Sequence, residues 1–543
     1  MRKTVLIIAV CALVCIPGYS QQEQQRHFDG QTWWGHVKVL AADNMEGRET
    51  GSPGLKRAEA YVVDQLKNSG LEPAGVKGFY QPIKFESREI VEKDSSLALV
   101  RDGKVEPLIL GDDAIFGTRI DLAPSAEGQL VFVGYGLTVP EQNYDDLAGL
   151  DLKGKIAVVF AGSPEEIPGA LSSHYQSAGE RWKSFQKAGA VGIVTILNPG
   201  SMDIPWSRIS VNRAHPSMAL VGAEFDETAG QKLAVTVNPE KAEKFFQGSG
   251  HSFSEILAIA KDRKQLPRFP LAVSLKAKAR MAKKIVESSN IVARLPGSDP
   301  ALKDQYVVLS AHIDHIGIGE PIDGDRIYNG AMDNGSGSGV LLDVAASLKK
   351  SPEKLRRSLL FVFVTAEEKG LLGSKYFTVH PTVKPESMIA NINIDMFLPI
   401  IPLKILRVLG LTDSDLGDMA RDVAQSLGVQ AAPDPEPQRN SFIRSDQYNF
   451  IRRGIPALAM SVSYAKGSPE QKLFKDWLTK RYHAPSDDLD QPVDLSAAAK
   501  YEEIIRALMV RLANGDQRPQ WKQDSFFRRY AGSASAGKSE GAP

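Results

Sequence analysis

The chain has 543 residues with 65 basic and 65 acidic side chains, a balance that supplies no field to draw nucleic acid or an anionic membrane surface. That length exceeds what one hydrophobic core supports and implies two or three domains. Both cysteines, Cys11 and Cys15, fall in the opening apolar stretch, so the rest of the chain offers no disulfide, thiol nucleophile or thiolate ligand.

The chain opens MRKTVLIIAVCALVCIPGYSQQ. Two basic residues, an apolar run over 5–17 and the small residues Gly18 and Ser20 make residues 1–20 a secretory signal peptide, so export to a periplasmic or extracellular space is expected. The run is shorter than the roughly 20 residues a membrane span needs, and no stable membrane insertion is expected after cleavage. Two helices are expected over 33–71, with Ser52 as N-cap before Pro53 and an amphipathic helix over 55–68. Strand-like runs follow at 97–100 and 130–135. From 128 to about 221 the order strand, loop, strand, helix, strand reads as a small α/β module. It holds His174 and His215 but no cluster at metal-ligand spacing, and is expected to bind or shield rather than catalyse.

After Ser288 strands are expected at NIVARLP, QYVVLSAHI, LLFVFVTAEE, MIANINIDM, ILRVLGL and IPALAMSV, with helices over 339–349, 415–427 and 496–512. That alternation predicts an α/β fold: a mixed, mostly parallel sheet sandwiched by helices, with ligands bound beyond the carboxyl ends of its strands. The tail over 531–543, rich in Gly, Ser and Ala, is expected to be disordered.

Ionisable residues cluster at those strand ends. QYVVLS runs into His312, Asp314 and His315; LLFVFVTA runs into Glu367 and Glu368; MIANINI runs into Asp395. Asp333 lies in the glycine-rich loop YNGAMDNGSGSG, where the backbone can approach a bound group closely, and His483 lies in KRYHAPSDD. Singly, each has an ordinary structural explanation as a strand-end pair, a solvated helix start, a turn former or a surface residue. Together they do not, because burying so many carboxylates near one another without cations is very unfavourable. An oxygen-rich set with imidazoles suits zinc ahead of manganese or cobalt, and there are enough ligands for two ions sharing a carboxylate.

HID, GAMDNGSG, TAEEKGLLGS, NINID and RYH together resemble the co-catalytic di-zinc exopeptidases (metallopeptidase family twenty-eight), a group with bacterial secreted aminopeptidases, glutamate carboxypeptidase and the transferrin receptor ectodomain. LAADNMEGRETGSPGLKRAEAYVVDQL is similar to the family's opening helices, and GYG through AVGIVTILN to its inserted protease-associated domain. After the signal peptide over 1–20, the resemblance implies catalytic-domain segments over 21–120 and 276–515 around an insertion at 121–275, and a tail at 516–543. It implies that His312 and Asp395 hold one zinc, that Glu368 and His483 hold the other, and that Asp333 bridges them. Asp314 would orient His312, Glu367 would be the general base, and Tyr482 would donate to the oxyanion. A cis peptide between Asp333 and Asn334 is a further implication.

Met332 departs from the acid many members carry before the bridging Asp, and His315 is an extra imidazole. The stretch RNSFIRSDQYNFIRRGIPALAM, with Asp446, resembles a pocket-lining segment. The expectation is an aminopeptidase with two zinc ions per chain, acting on peptides as a monomer or homodimer. Carboxypeptidase or dipeptidase action would need a cationic clamp, for which Arg439, Arg444, Arg452 and Arg453 are available. A single-metal glutaminyl cyclase and a non-catalytic receptor on the same scaffold are the remaining readings.

Overall fold

The computed structural model describes residues 27–532. The signal-peptide expectation over 1–20 lies outside the described residues, as does nearly all of the tail beyond 531. Among the described residues, no helix is long and apolar enough to cross a membrane.

Two sheets organise the chain. The first contains β1 (Tyr80–Ile90), β2 (Ser217–Leu220), β3 (Met281–Leu295), β4 (Tyr306–His312), β5 (Ser358–Val364), β6 (Met388–Asn393), β7 (Ile405–Leu409), β8 (Gln430–Ala432) and β9 (Ala457–Ser463), in the spatial order β2-β1-β3-β5-β4-β6-β9-β7-β8. It is parallel through its centre, where β5, β4, β6 and β9 lie side by side. It is antiparallel at β2, β1, β3 and β5 on one flank and between β9 and β7 on the other. The result is a mixed α/β architecture.

Period-two alternation divides each central strand between two cores. Val307, Leu309 and Ala311 of β4, with Leu359, Phe361 and Phe363 of β5, face one side. There they meet helices α1 (Gln31–Leu40), α2 (Pro53–Asn68), α3 (Ser336–Lys350) and α4 (Leu495–Asn514) through Trp33, Leu55, Leu341 and Ile504. Tyr306, Val308, Leu360 and Val362 face the other side, against Phe377, Phe450 and Phe527. Each fully buried apolar side chain of this kind is worth about 1.5–3 kcal/mol. Burial on both faces explains why these strands read as continuous apolar runs.

The helices expected from periodicity are present with boundaries shifted by a few residues. Ser52 caps α2, its side chain accepting from the Leu55 amide, and Pro53 follows at the first turn. The helix expected over 415–427 occurs as Asp415–Ser426, and the helix expected within the small α/β module as Ala178–Lys187.

The second sheet has eight strands in the order Lys104–Leu108, Ser96–Arg101, Phe269–Lys278, Ser125–Phe132, Ile156–Phe160, Gly192–Ile196, Leu233–Val237 and Ala114–Phe116. QLVFVGYG, KGKIAVVFAG and AVGIVTILN thus supply three neighbouring strands, parallel to one another. The path between the sheets bears on the site. The chain leaves the first sheet after β1, builds most of the second, crosses back over 197–216, adds β2 to the edge of the first, and then completes the second before entering β3.

Candidate metal centre

The centre forms where the parallel strands end. β4 terminates at His312, which is fully buried. After β5 the chain turns through Ala366 at φ 56° and presents Glu367 and Glu368. The turn is closed by Gly373, where a Cβ would lie 2.0 Å from the Thr365 carbonyl oxygen, so no side chain fits. Asp395 follows β6. Asp333 precedes α3 in a loop that enters through Gly330 at φ 63°, where a Cβ would meet the Asp333 carbonyl at 2.2 Å. The peptide between Asp333 and Asn334 is cis. Asn334 joins this loop to the end of β6, accepting from the Gly337 amide at 2.9 Å and donating to the Ile394 carbonyl at 2.9 Å.

All five ligand candidates meet here. His312 Nε2 lies 3.3 Å from Asp333 Oδ1 and 3.3 Å from Asp395 Oδ1. His483 Nε2 lies 3.2 Å from Asp333 Oδ2 and 3.2 Å from Glu368 Oε2. Charge-assisted hydrogen bonds between nitrogen and carboxylate close to about 2.7–2.9 Å. Two donors on one tetrahedral zinc, each bonded at about 2.0–2.1 Å, stand about 3.3 Å apart. The four separations match that tetrahedral edge, and one from each histidine falls on a different oxygen of Asp333, so the residues fit two ions sharing this carboxylate. Glu367 Oε2 stands 4.0 Å from His312 Nε2, near the first position without matching the edge.

His315 behaves differently. Its Nδ1 lies 2.7 Å from Glu368 Oε1, a normal charge-assisted hydrogen bond, and 3.8 Å from Asp333 Oδ2. The extra imidazole therefore orients Glu368. Asp314 also acts through a different group from the one expected. His312 Nδ1 faces the main-chain carbonyl of Asp314 at 3.0 Å, with the carboxylate at 3.9 Å. That carboxylate accepts instead from the amides of Glu367 at 3.0 Å and Glu368 at 3.4 Å, and from Thr50 Oγ1 at 3.2 Å. It fixes the turn that carries both glutamates.

Burial pushes the Glu367 carboxyl well above the ordinary range, and Asp395, Glu368 and Asp446 add to the shift against the pull of His312. Glu368 goes the opposite way: despite burial, His483 and His315 hold it well below that range. Burial opposes the charge on His483, yet Glu368 and Asp333 raise it to about 10. Adjacent carboxyls driven apart in this way are equipped for different tasks. Cations set among these donors would draw the proton from Glu367 and leave it free to accept another.

Two residues of the site were not singled out from sequence. Asp487, fully buried, accepts from the amides of Met332 and Asp333, each at 3.0 Å, and from Gln491 Nε2 at 3.0 Å. Arg48, also fully buried, donates to four carbonyls: Leu40 and Asn329 at 2.6 Å, and Ile313 and Gly330 at 2.8 Å. Both hold the loops that carry ligands.

Beside Asp395 a pocket opens with an apolar wall of Leu398, Leu409, Met460, Phe474 and Leu478, and a polar rim of Arg439, Arg444, Tyr482 and Asp203. Arg452 is held elsewhere by Glu227 at 2.5 Å. Asp446 is fully buried, accepts from Ser374 Oγ at 2.5 Å, and burial pushes it up to about 7. A larger cleft of about 830 Å³, between Pro168, Leu411 and Phe526, contains none of the ligand candidates.

The profile of Peptidase family M28 matches residues 290–509, a span that includes every ligand candidate and Glu367. Aminopeptidase YwaD of Bacillus subtilis (strain 168) is 25% identical over 508 residues, covering 86% of this chain and 94% of that protein. Carboxypeptidase Q of Bos taurus is 23% identical over 365 residues, covering 66% of this chain and 64% of its own length. Among solved structures, an aminopeptidase from Aneurinibacillus sp. strain AM-1 shares the fold, with a TM-score of 0.54 at 20% identity over 90% of this chain and 95% of that one.

Proposed function

We propose that this chain, which belongs to Peptidase family M28 and is a peptidase, is an exported two-zinc aminopeptidase that removes single residues from the N-termini of peptides. The observation that carries the reading is the set of four nitrogen-to-oxygen separations of 3.2–3.3 Å on the two sides of Asp333. His312, Asp333 and Asp395 would hold one zinc, and Asp333, Glu368 and His483 the other. A zinc pair there supplies Lewis acidity that polarises the scissile carbonyl and acidifies water.

The chain's own groups do the rest. Glu367, in a turn locked by Asp314, takes a proton from the attacking water and returns it to the leaving amine. Tyr482, whose ring centroid lies 3.9 Å from that of His483, donates to the developing oxyanion. The apolar wall beside Asp395 receives the side chain of the residue removed. A completely assembled donor set counts against the non-catalytic receptor reading and against a single-metal cyclase.

The presence of Arg439 and Arg444 on the pocket rim favours a second reading, a dipeptidase or carboxypeptidase in which these guanidiniums grip a free carboxylate. One panel separates the two: aminoacyl p-nitroanilides, N-acetylated peptides and C-terminally blocked peptides, measured before and after chelation and zinc return. Cleavage that requires a free amine and tolerates a blocked C-terminus supports the aminopeptidase. Cleavage that requires a free carboxylate supports the alternative, and no cleavage with two zinc ions bound refutes both substrate classes.

A further inference from the structure

We infer that the 197–216 crossover holds Tyr482 in its working position: Asp203 acts on its phenol through Arg444, and Arg208 anchors its carbonyl. The inference rests on the reading of Tyr482 as the oxyanion donor, and it assigns the crossover a part in the reaction.

Asp203 lies in the loop between the strand Gly192–Ile196 of the second sheet and the helix Trp206–Asn212. Its side chain is only 7% exposed, and its two oxygens are engaged by two guanidiniums, Arg439 Nε at 2.5 Å and Arg444 NH1 at 2.5 Å. Arg439 also has Glu436 at 3.6 Å. Arg444 uses its other terminal nitrogen, NH2, to donate to the Tyr482 hydroxyl at 3.1 Å. Arg208, from the same crossover, donates to the Tyr482 carbonyl at 2.8 Å and to the Lys480 carbonyl at 3.3 Å. One segment thus controls both ends of Tyr482.

The chemistry of the phenol gives this arrangement a direction. A tyrosine hydroxyl has one hydrogen and can also accept. With Arg444 donating to the oxygen, the hydrogen must point elsewhere, and Tyr482 lines the same pocket as Asp395. Arg444 is 43% exposed, and an unconstrained arginine side chain samples many rotamers. Asp203 removes that freedom by fixing one edge of the guanidinium, leaving the other edge for the phenol. Arg444 also places positive charge next to a group that meets developing negative charge, which strengthens a preorganised donor. Asp203 and Arg208 are positioning residues, for neither is a ligand candidate.

A double-mutant cycle tests the relay against a merely structural ion pair between the two halves of the molecule. Wild type, Tyr482→Phe, Asp203→Ala and the double variant are compared by kcat and KM on leucyl p-nitroanilide, zinc content and thermal midpoint. The expected losses in kcat are about 100-fold for Tyr482→Phe and about 10-fold for Asp203→Ala, with KM and zinc content of Asp203→Ala near wild type and a lowered midpoint from the unpaired Arg439. The double variant should equal Tyr482→Phe alone, because one residue acts through the other. Asp203→Glu should recover part of the loss. Arg444→Gln, which leaves Asp203 paired with Arg439, provides the same cycle should Asp203→Ala fail to fold.

Full additivity, or a kcat unchanged in both Asp203→Ala and Arg444→Gln, overturns the relay and leaves the role of Tyr482 intact. A wild-type kcat in Tyr482→Phe overturns both.

Discussion

Asp487→Asn keeps the size of a buried side chain and removes its charge, and the hydrogen bonds around it determine the consequence. Oδ1 accepts from the Met332 amide and from Gln491 Nε2, and Oδ2 accepts from the Asp333 amide. The asparagine oxygen will keep the position with two donors, so its NH2 will face the Asp333 N–H, donor against donor. The loss comprises one charge-assisted bond, about 1.5–3 kcal/mol, and an orphaned buried amide of about 1–3 kcal/mol. That strain falls on the residue whose two oxygens face His312 and His483. Groups that orient metal ligands typically contribute 10–100-fold to affinity, or about 1.4–2.8 kcal/mol. The expected result is therefore a 10- to 100-fold loss in zinc affinity with the fold retained. Because the molecule has separate cores and need not unfold in one step, competition with chelators of graded affinity is the appropriate assay, with circular dichroism confirming structure. Unchanged affinity at both positions would refute the claim that the Met332 and Asp333 amides hold the bridging carboxylate in place.

Glu367→Gln should lower kcat by about 10²–10⁴-fold while both zinc ions remain bound, as read by turnover beside metal analysis. Arg48→Met should leave the buried carbonyls of Leu40, Ile313 and Asn329 without a donor, Gly330 keeping the Gly335 amide at 3.1 Å, and destabilise the chain by about 3 kcal/mol or more, measurable as a lower thermal midpoint or loss of soluble protein. Burial raises Glu59 to about 7 from 4.5, against hydrogen bonds from Ser288 and Ser289 and the charge of Lys56; Tyr80 is another titratable neighbour. Between those two values the folded state holds a proton that the unfolded chain has released, so this group's contribution is full below pH 4.5 and is lost as pH rises through 7. The amount is at most about 3 kcal/mol. Glu59→Gln should flatten that slope and be more stable than wild type at pH 8, as thermal midpoints across pH 4–8 will reveal.

The site was legible wherever a ligand directly follows a buried strand. His312, Glu367, Glu368 and Asp395 each end an apolar run, and a charged group at such a point invites a chemical explanation. Asp333 and His483 entered through the glycine-rich loop and the family motif. Asp487 and Arg48 were not legible, because their partners are main-chain groups of loops far away in sequence, and SDD or GRE reads as an ordinary polar turn. The carbonyl contact of Asp314 was hidden for the same reason, since its sequence position does not reveal which of its oxygens faces His312. In the fold, the central strands were plain, whereas β1 was not. Its sequence YQPIKFESREI buries alternate residues and exposes the others, so charged side chains dilute its apolar signal. Asp203 and Arg208, in a connection of the unit read as non-catalytic, had nothing in their local sequence to tie them to Tyr482.

The strand β2 has a mechanical consequence. It is four residues long, yet it pairs with β1 from Ser217 opposite Arg88 to Leu220 opposite Phe85, in the middle of a stretch that otherwise belongs to the second sheet. The chain therefore sews its two halves together with a ladder of main-chain hydrogen bonds, in addition to the covalent links before and after. A clamshell motion that widened the entrance would have to unzip this seam and withdraw Arg208 from Tyr482 in the same movement. Relative motion of the two sheets is accordingly resisted at the same segment that holds Tyr482.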